Sequence, residues 1–233
     1  MPFIADDPMR GHAAARRVVV ILDASGSMGS ARDVTIEALN AYVGKIAEED
    51  GATGATAISA YSFTTEPAGD AYPRGKPKID RLYADLPASA AIGNINIENY
   101  DPTKGQNTPL YDAVASVCNG IRDGIALVVI LTDGLENASV EYKREDVVAL
   151  VKDREAKGWT FVFLGADLSR EATLAASASM GMHANSSMSY DKRSTYIMGQ
   201  SLSAATSRYS ASGSASTQDF FNRDEQEIGP KKK

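Results

Sequence analysis

Three short apolar runs limit what this chain can fold into. Val18 to Leu22 (VVVIL), Ile125 to Leu131 (IALVVIL) and Trp159 to Leu164 (WTFVFL) are continuous, rich in β-branched or aromatic residues, and too short for buried helices. Between them lie stretches with apolar residues at helical spacing. Val34, Ala38, Leu39, Tyr42, Val43 and Ile46 form one stripe, ending near Asp50-Gly51, and Leu110, Val114, Val117 and Ile121 form another that opens at Thr108-Pro109. Strands alternating with helices imply parallel pairing through right-handed crossovers. The predicted fold class is α/β: a doubly wound, mostly parallel central sheet with helices on both faces.

The remaining segments are read the same way. Ser30 and Asp33 predict a capping box at the first helix start. Ala55 to Phe63 predicts a second strand, and Ile79 to Tyr83 one short strand within an otherwise illegible region, 64–106. Helices are expected over 143–157 and 168–179, a short edge strand at Met182 to Ala184, and a last helix over 189–208. The domain organisation reads as an N-terminal tail (1–15), one domain with a C-terminal helical extension (16–209) and a flexible tail (210–233).

Composition narrows the function classes. A net charge of −6 argues against broad nucleic-acid or anionic-membrane binding. The single cysteine, Cys118, excludes an intrachain disulfide and is expected as a small core residue. There is no apolar leader and no run near the roughly 20 residues that span a bilayer, so the expected compartment is the cytosol. His12 and His183 are expected to be structural or solvated, and Trp159, Tyr61 and Phe63 to be packing residues.

The first apolar run ends in Asp23-Ala24-Ser25-Gly26-Ser27-Met28. In open α/β sheets, ligands bind beyond the carboxyl ends of the strands. Alternate residues of an extended segment leaving β-structure point toward one place, which gives Asp23, Ser25 and Ser27 a shared focus. Thr132-Asp133-Gly134 puts a second carboxylate at another strand end, and Gly105 to Leu110 puts the Thr108 hydroxyl at a helix start. These hard oxygen donors suit Mg²⁺ or Mn²⁺, less well Ca²⁺, and not zinc. Glu136 and Asn137, close behind, are candidates for the rim.

Asp-x-Ser-x-Ser after the first strand, NTPLYDA in the middle and Thr-Asp-Gly after a later strand together resemble the von Willebrand factor A (vWA) domain with its metal-ion-dependent adhesion site. The resemblance covers roughly residues 16 to 185, and Asp23, Ser25, Ser27, Thr108 and Asp133 match its five ligand positions. It implies a six-stranded sheet and direct metal ligation by Ser25 and Ser27. Thr108, Asp23 and Asp133 would ligate directly or through water. It also implies a coordination position filled by an acidic residue of a protein partner. Intracellular relatives act as adaptors for AAA+ ATPases or stress-response assemblies. The expectation is therefore a metal-dependent protein-binding module, not an enzyme, with no nucleic-acid or membrane partner and with self-association open.

Two rival classes fit parts of the pattern. SGSMGS after a first strand resembles a flavodoxin-type phosphate loop, yet Asp23 at its mouth would repel an anion. An aspartyl phosphotransferase would want an acid where Ser25 stands, and a serine hydrolase a GxSxG elbow with a histidine, which is not found. A metal-dependent hydrolase lacks an evident general base.

Overall fold

The computed structural model describes residues 16–51, 55–121, 124–211 and 219–229. The first apolar run forms the middle of β1 (Arg16–Asp23), in which every residue from Val18 onward is buried. On one side β1 pairs in parallel with β2 (Thr56–Thr65), and on the other with β4 (Leu127–Thr132). Beyond β4 the sheet continues, still parallel, through β5 (Thr160–Ala166), β6 (Ser187–Tyr190) and the two-residue β7 (Glu227–Ile228). Only β3 (Pro77–Pro87), at the opposite edge, runs antiparallel, giving the order β3-β2-β1-β4-β5-β6-β7. Among the described residues the sheet thus has seven strands rather than six.

Alternation along the strands sorts the core into two layers. Val18, Val20 and Leu22 face α1 (Arg32–Asp50), the short α2 (Ala88–Ala91) and α6 (Thr195–Ala211). Val19 and Ile21 face α3 (Leu110–Gly120), α4 (Arg144–Ala156) and α5 (Arg170–Ser179). The result is a three-layer α/β fold with helices on both faces, as the alternation of strands and helices predicts. Cys118 and Trp159 are core residues: burial pushes the Cys118 thiol up to about 12, and the Trp159 indole donates to the Gly124 carbonyl.

Several expectations are corrected. No capping box opens α1: Gly26–Ala31 form a 3-10 turn, α1 starts at Arg32, and Asp33 is engaged by the Arg32 side chain. The strand expected at Met182 to Ala184 lies further on, at Ser187–Tyr190, and is interior because β7 pairs outside it. The last helix accordingly begins at Thr195. β3 is longer than expected and carries a bulge opposite Ile58 to Tyr61, where Asp85 adopts φ 52° and donates its N–H to the Ser59 hydroxyl. The expected tail, 210–233, is not wholly separate from the domain. Phe220 and Phe221 are buried in the α1/α6 layer and pack edge to face, and Glu227–Ile228 extends the sheet. The expected N-terminal tail, 1–15, with His12, lies outside the described residues.

Candidate metal centre

Strand register brings the acidic ends together. Leu22 pairs with Leu131, so Asp23 finishes beside Thr132 and Asp133 at the same edge of the sheet. Asp23 is fully buried; its Oδ2 accepts a hydrogen bond from the Thr132 hydroxyl at 2.5 Å and its Oδ1 accepts from the Ser25 N–H at 2.7 Å. From the other side the buried Tyr100 hydroxyl donates to the Asp23 carbonyl at 2.8 Å, which fixes the strand end.

The hydroxyls form a chain across the loop. Ser25 Oγ lies 3.2 Å from Ser27 Oγ, and Ser27 Oγ donates to Asp133 Oδ1 at 2.7 Å. Ser25 is buried and Ser27 exposed, so the cluster has a closed floor and an open rim. Thr108 closes a third side. It is 3% exposed and precedes Pro109, the N-cap residue of α3, so its hydroxyl does not cap that helix. A methyl at Gly134 would come within 2.9 Å of Thr108 Oγ1, a measure of how closely the two segments approach.

Residues 105–108 act as a strap held at both ends. The Gln106 and Asn107 N–H groups donate to the Thr64 and Thr65 hydroxyls, and the Thr108 N–H donates to Asn137 Oδ1 at 2.9 Å. Gly105 is required there, because a Cβ would fall 1.7 Å from the Ala24 carbonyl oxygen. Beside the strap opens a polar cleft of about 410 Å³, lined by Ala24, Thr64, Glu66, Glu98 and Asp101 among others.

The five residues singled out from the sequence therefore gather at one place: Asp23, Ser25, Ser27 and Asp133 are linked through hydrogen bonds, and Thr108 packs against Gly134. Sequence reasoning missed Thr132, Tyr100, Lys192 and Asp112. The Lys192 ammonium lies 2.5 Å from Asp133 Oδ2 and 3.0 Å from the Ser27 carbonyl. Asp112, 1% exposed, accepts from the N–H groups of Val140, Glu141 and Tyr142. Glu136 accepts from the N–H groups of Tyr111, Ala138 and Ser139 and from the Ser139 hydroxyl. Thr132 and Asp112 sit inside the motifs quoted above, whereas no pattern in the sequence points to Lys192.

Burial raises the Asp23 carboxyl to about 6, outweighing the hydrogen bonds from Thr132 and Ser25, and the nearby Asp133 adds to the rise. A carboxylate so desolvated is stabilised by a positive charge, and the hydroxyls around it donate neutral oxygen ligands. Among the described residues, no group of three or more His, Cys, Asp or Glu side chains is placed to hold a metal; this donor set has only two carboxylates. A positive charge already lies against it, the Lys192 ammonium on Asp133 and the Ser27 carbonyl. The set suits a hard ion that keeps part of its water.

No family model matches the sequence, and no curated protein matches it. Solved structures do. The vWF domain of the type V pili tip protein Mfa5 from Porphyromonas gingivalis superposes with a TM-score of 0.61 at 13% identity, covering 82% of this chain and 95% of that one. Proximal thread matrix protein 1 from the mussel byssus gives 0.58 at 13% identity, over 79% of this chain, which spans only 46% of that protein. Another structure of the same mussel protein, described as having a zinc-occupied MIDAS motif, matches with the same score. Among the described residues no helix is long and apolar enough to cross a membrane. The sheet order, the two helical layers and these superpositions agree that the chain has the fold of a von Willebrand factor A domain.

Proposed function

We propose that this chain is a protein-binding module that holds a divalent cation with Asp23, Ser25, Ser27, Thr108 and Asp133 and engages an acidic residue of a protein partner there. The observation that carries the reading is the convergence of two carboxylates and three hydroxyls from three separate segments onto one partly open site. Bound there, the cation would supply a positive centre able to accept one more oxygen ligand from outside the chain. The protein's own part is positional. Tyr100 and Thr132 fix Asp23, the strap fixes Thr108, and the exposed Ser27 lies on the open side. With only two acids facing a dication, an incoming carboxylate gains a charge-assisted contact. Leu135, 52% exposed just past Asp133, and the adjoining polar cleft offer surface for further partner contacts.

An enzymatic reading has less support, because Glu136, the nearest further carboxylate in the sequence, is consumed by loop N–H groups instead of standing free as a base. Mg²⁺ is the preferred ion, with Mn²⁺ and Ca²⁺ as alternatives. Zinc joins them, since the mussel protein's motif is described as zinc-occupied although hydroxyl-rich sets are poor zinc sites. An AAA+ ATPase or a stress-response assembly remains the kind of partner proposed from the family resemblance.

Calorimetric titration of each ion into chelator-stripped protein tests the site. Stoichiometric binding abolished by Asp133→Ala and weakened by Ser25→Ala is expected. A folded wild-type protein that binds none of these ions overturns the reading.

A further inference from the structure

Lys192 has no role in the reading above, yet its side chain touches two of the five donor residues. It sits between β6 and α6, and its backbone is fixed: its N–H donates to Asp167 Oδ1 at 2.8 Å, and its carbonyl accepts from the Thr195 hydroxyl at 2.5 Å. The side chain, 14% exposed, runs inward to the Asp133 carboxylate, itself 2% exposed, and to the Ser27 carbonyl. Two of the five donor residues thus already share a positive charge supplied by the chain.

We propose that Lys192 is the affinity-setting residue of this site: its ammonium competes with the divalent cation for Asp133 and leaves when the cation binds. The inference rests on the metal-binding reading. A dication among Ser25, Ser27 and Asp133 would face the ammonium at close range in a poorly solvated setting, where like charges repel strongly. The lysine has a way out. Asp167 Oδ2 lies 3.7 Å from the same ammonium and its side chain is 50% exposed, so the charge can move to a second, wetter acidic partner while the Lys192 backbone stays in place. The four-carbon stem permits that swing, which a shorter or planar cation would not make as readily. The site therefore discriminates by charge: a competitor must outbid a tethered monovalent cation for one carboxylate, which favours divalent ions and sets a threshold concentration for loading.

The test titrates Mn²⁺ and Mg²⁺ into chelator-stripped wild type and Lys192→Met by calorimetry, with a thermal melt of each. Binding to Lys192→Met that is tighter by about tenfold or more is expected, because the charge to be expelled is gone. Equal or weaker binding by a folded variant overturns the competition while leaving the metal site standing. Failure of both folded proteins to bind overturns the competition together with the metal reading. A second measurement needs no variant: in ¹⁵N-lysine-labelled wild type, one ammonium should be protected from exchange without metal and lose that protection on Mg²⁺ saturation. Persistence of the protected signal at saturation overturns the proposal.

Discussion

The candidate site is bounded by two loops built on opposite plans. After β4, residues 134–142 are fastened by two carboxylates that accept seven hydrogen bonds from backbone and hydroxyl groups: three on Asp112 and four on Glu136. After β6, residues 191–195 have short turn bonds to Asp191 and Asp167, and their one reach into the site is the ammonium of Lys192. Carboxylates that satisfy backbone N–H groups cannot be withdrawn without orphaning those groups. A lysine that rests on a carboxylate can be replaced by any stronger cation. One wall of the site is therefore fixed by those carboxylates and the other, on the proposal above, is exchangeable, on the same edge of the same sheet.

The largest effect should come from the fixed wall. Asp112→Ala would leave three N–H groups of the β4–α4 loop without their acceptor, and is expected to cost about 3 kcal/mol or more in denaturant unfolding. A cost below about 1 kcal/mol would mean that the loop is not held as the hydrogen bonds imply.

Next comes Asp23, in the floor between the two walls. Without metal, the folded carboxyl keeps its proton up to about pH 6, while the unfolded chain releases it near 3.8. In that window the folded state binds more protons, so this group's stabilising contribution is complete below 3.8 and is lost as pH rises through about 6. Chelator-treated wild type should lose on the order of 2–3 kcal/mol relative to Asp23→Asn between pH 4 and 7. Parallel pH profiles of the two proteins would remove the desolvation account of Asp23.

Glu136→Gln gives the smallest of the three effects. The amide keeps one acceptor oxygen but replaces the other by a donor, facing Tyr111 N–H and the Ser139 hydroxyl or the Ala138 and Ser139 N–H groups. A loss of about 1–2 kcal/mol is expected, with faster amide exchange confined to residues 138–142. Faster exchange at residues 191–195 instead would show that the walls are coupled, not independent.

What the sequence makes legible follows from where each residue lies. VVVIL, the LVVIL of IALVVIL, and WTFVFL are buried on both faces and read as strands without ambiguity; the first two carry Asp23 and Asp133 to the sheet edge, while Ile125, half exposed, precedes its strand. Thr108 is legible as a donor only in company with the Asp23 and Asp133 motifs, because a threonine at a helix start reads by itself as a cap. β3 was poorly legible for the opposite reason: it is an edge strand, half wetted, with Lys78, Asp80 and Arg81 breaking its pattern. β6 reads SMSY, four buried residues whose serines carry no hydrophobic signal, so the apolar pattern does not mark its place. Phe220 and Phe221 lie in a polar, charged stretch, and the core they join is built from residues far away in sequence. Lys192 was invisible, since nothing in a lone lysine announces a carboxylate that meets it across 59 positions.

The outermost strand on the β3 side has a consequence of its own. Sheets with long, flat, apolar margins invite other chains to add on, and the β3 margin is neither flat nor apolar. Pro77 and Pro87 mark both ends of β3, charged side chains stud it, and the irregular register near Tyr83 bends it. At high local concentration, as on a crowded scaffold, such a margin would keep copies of the chain from zipping together into insoluble ribbons.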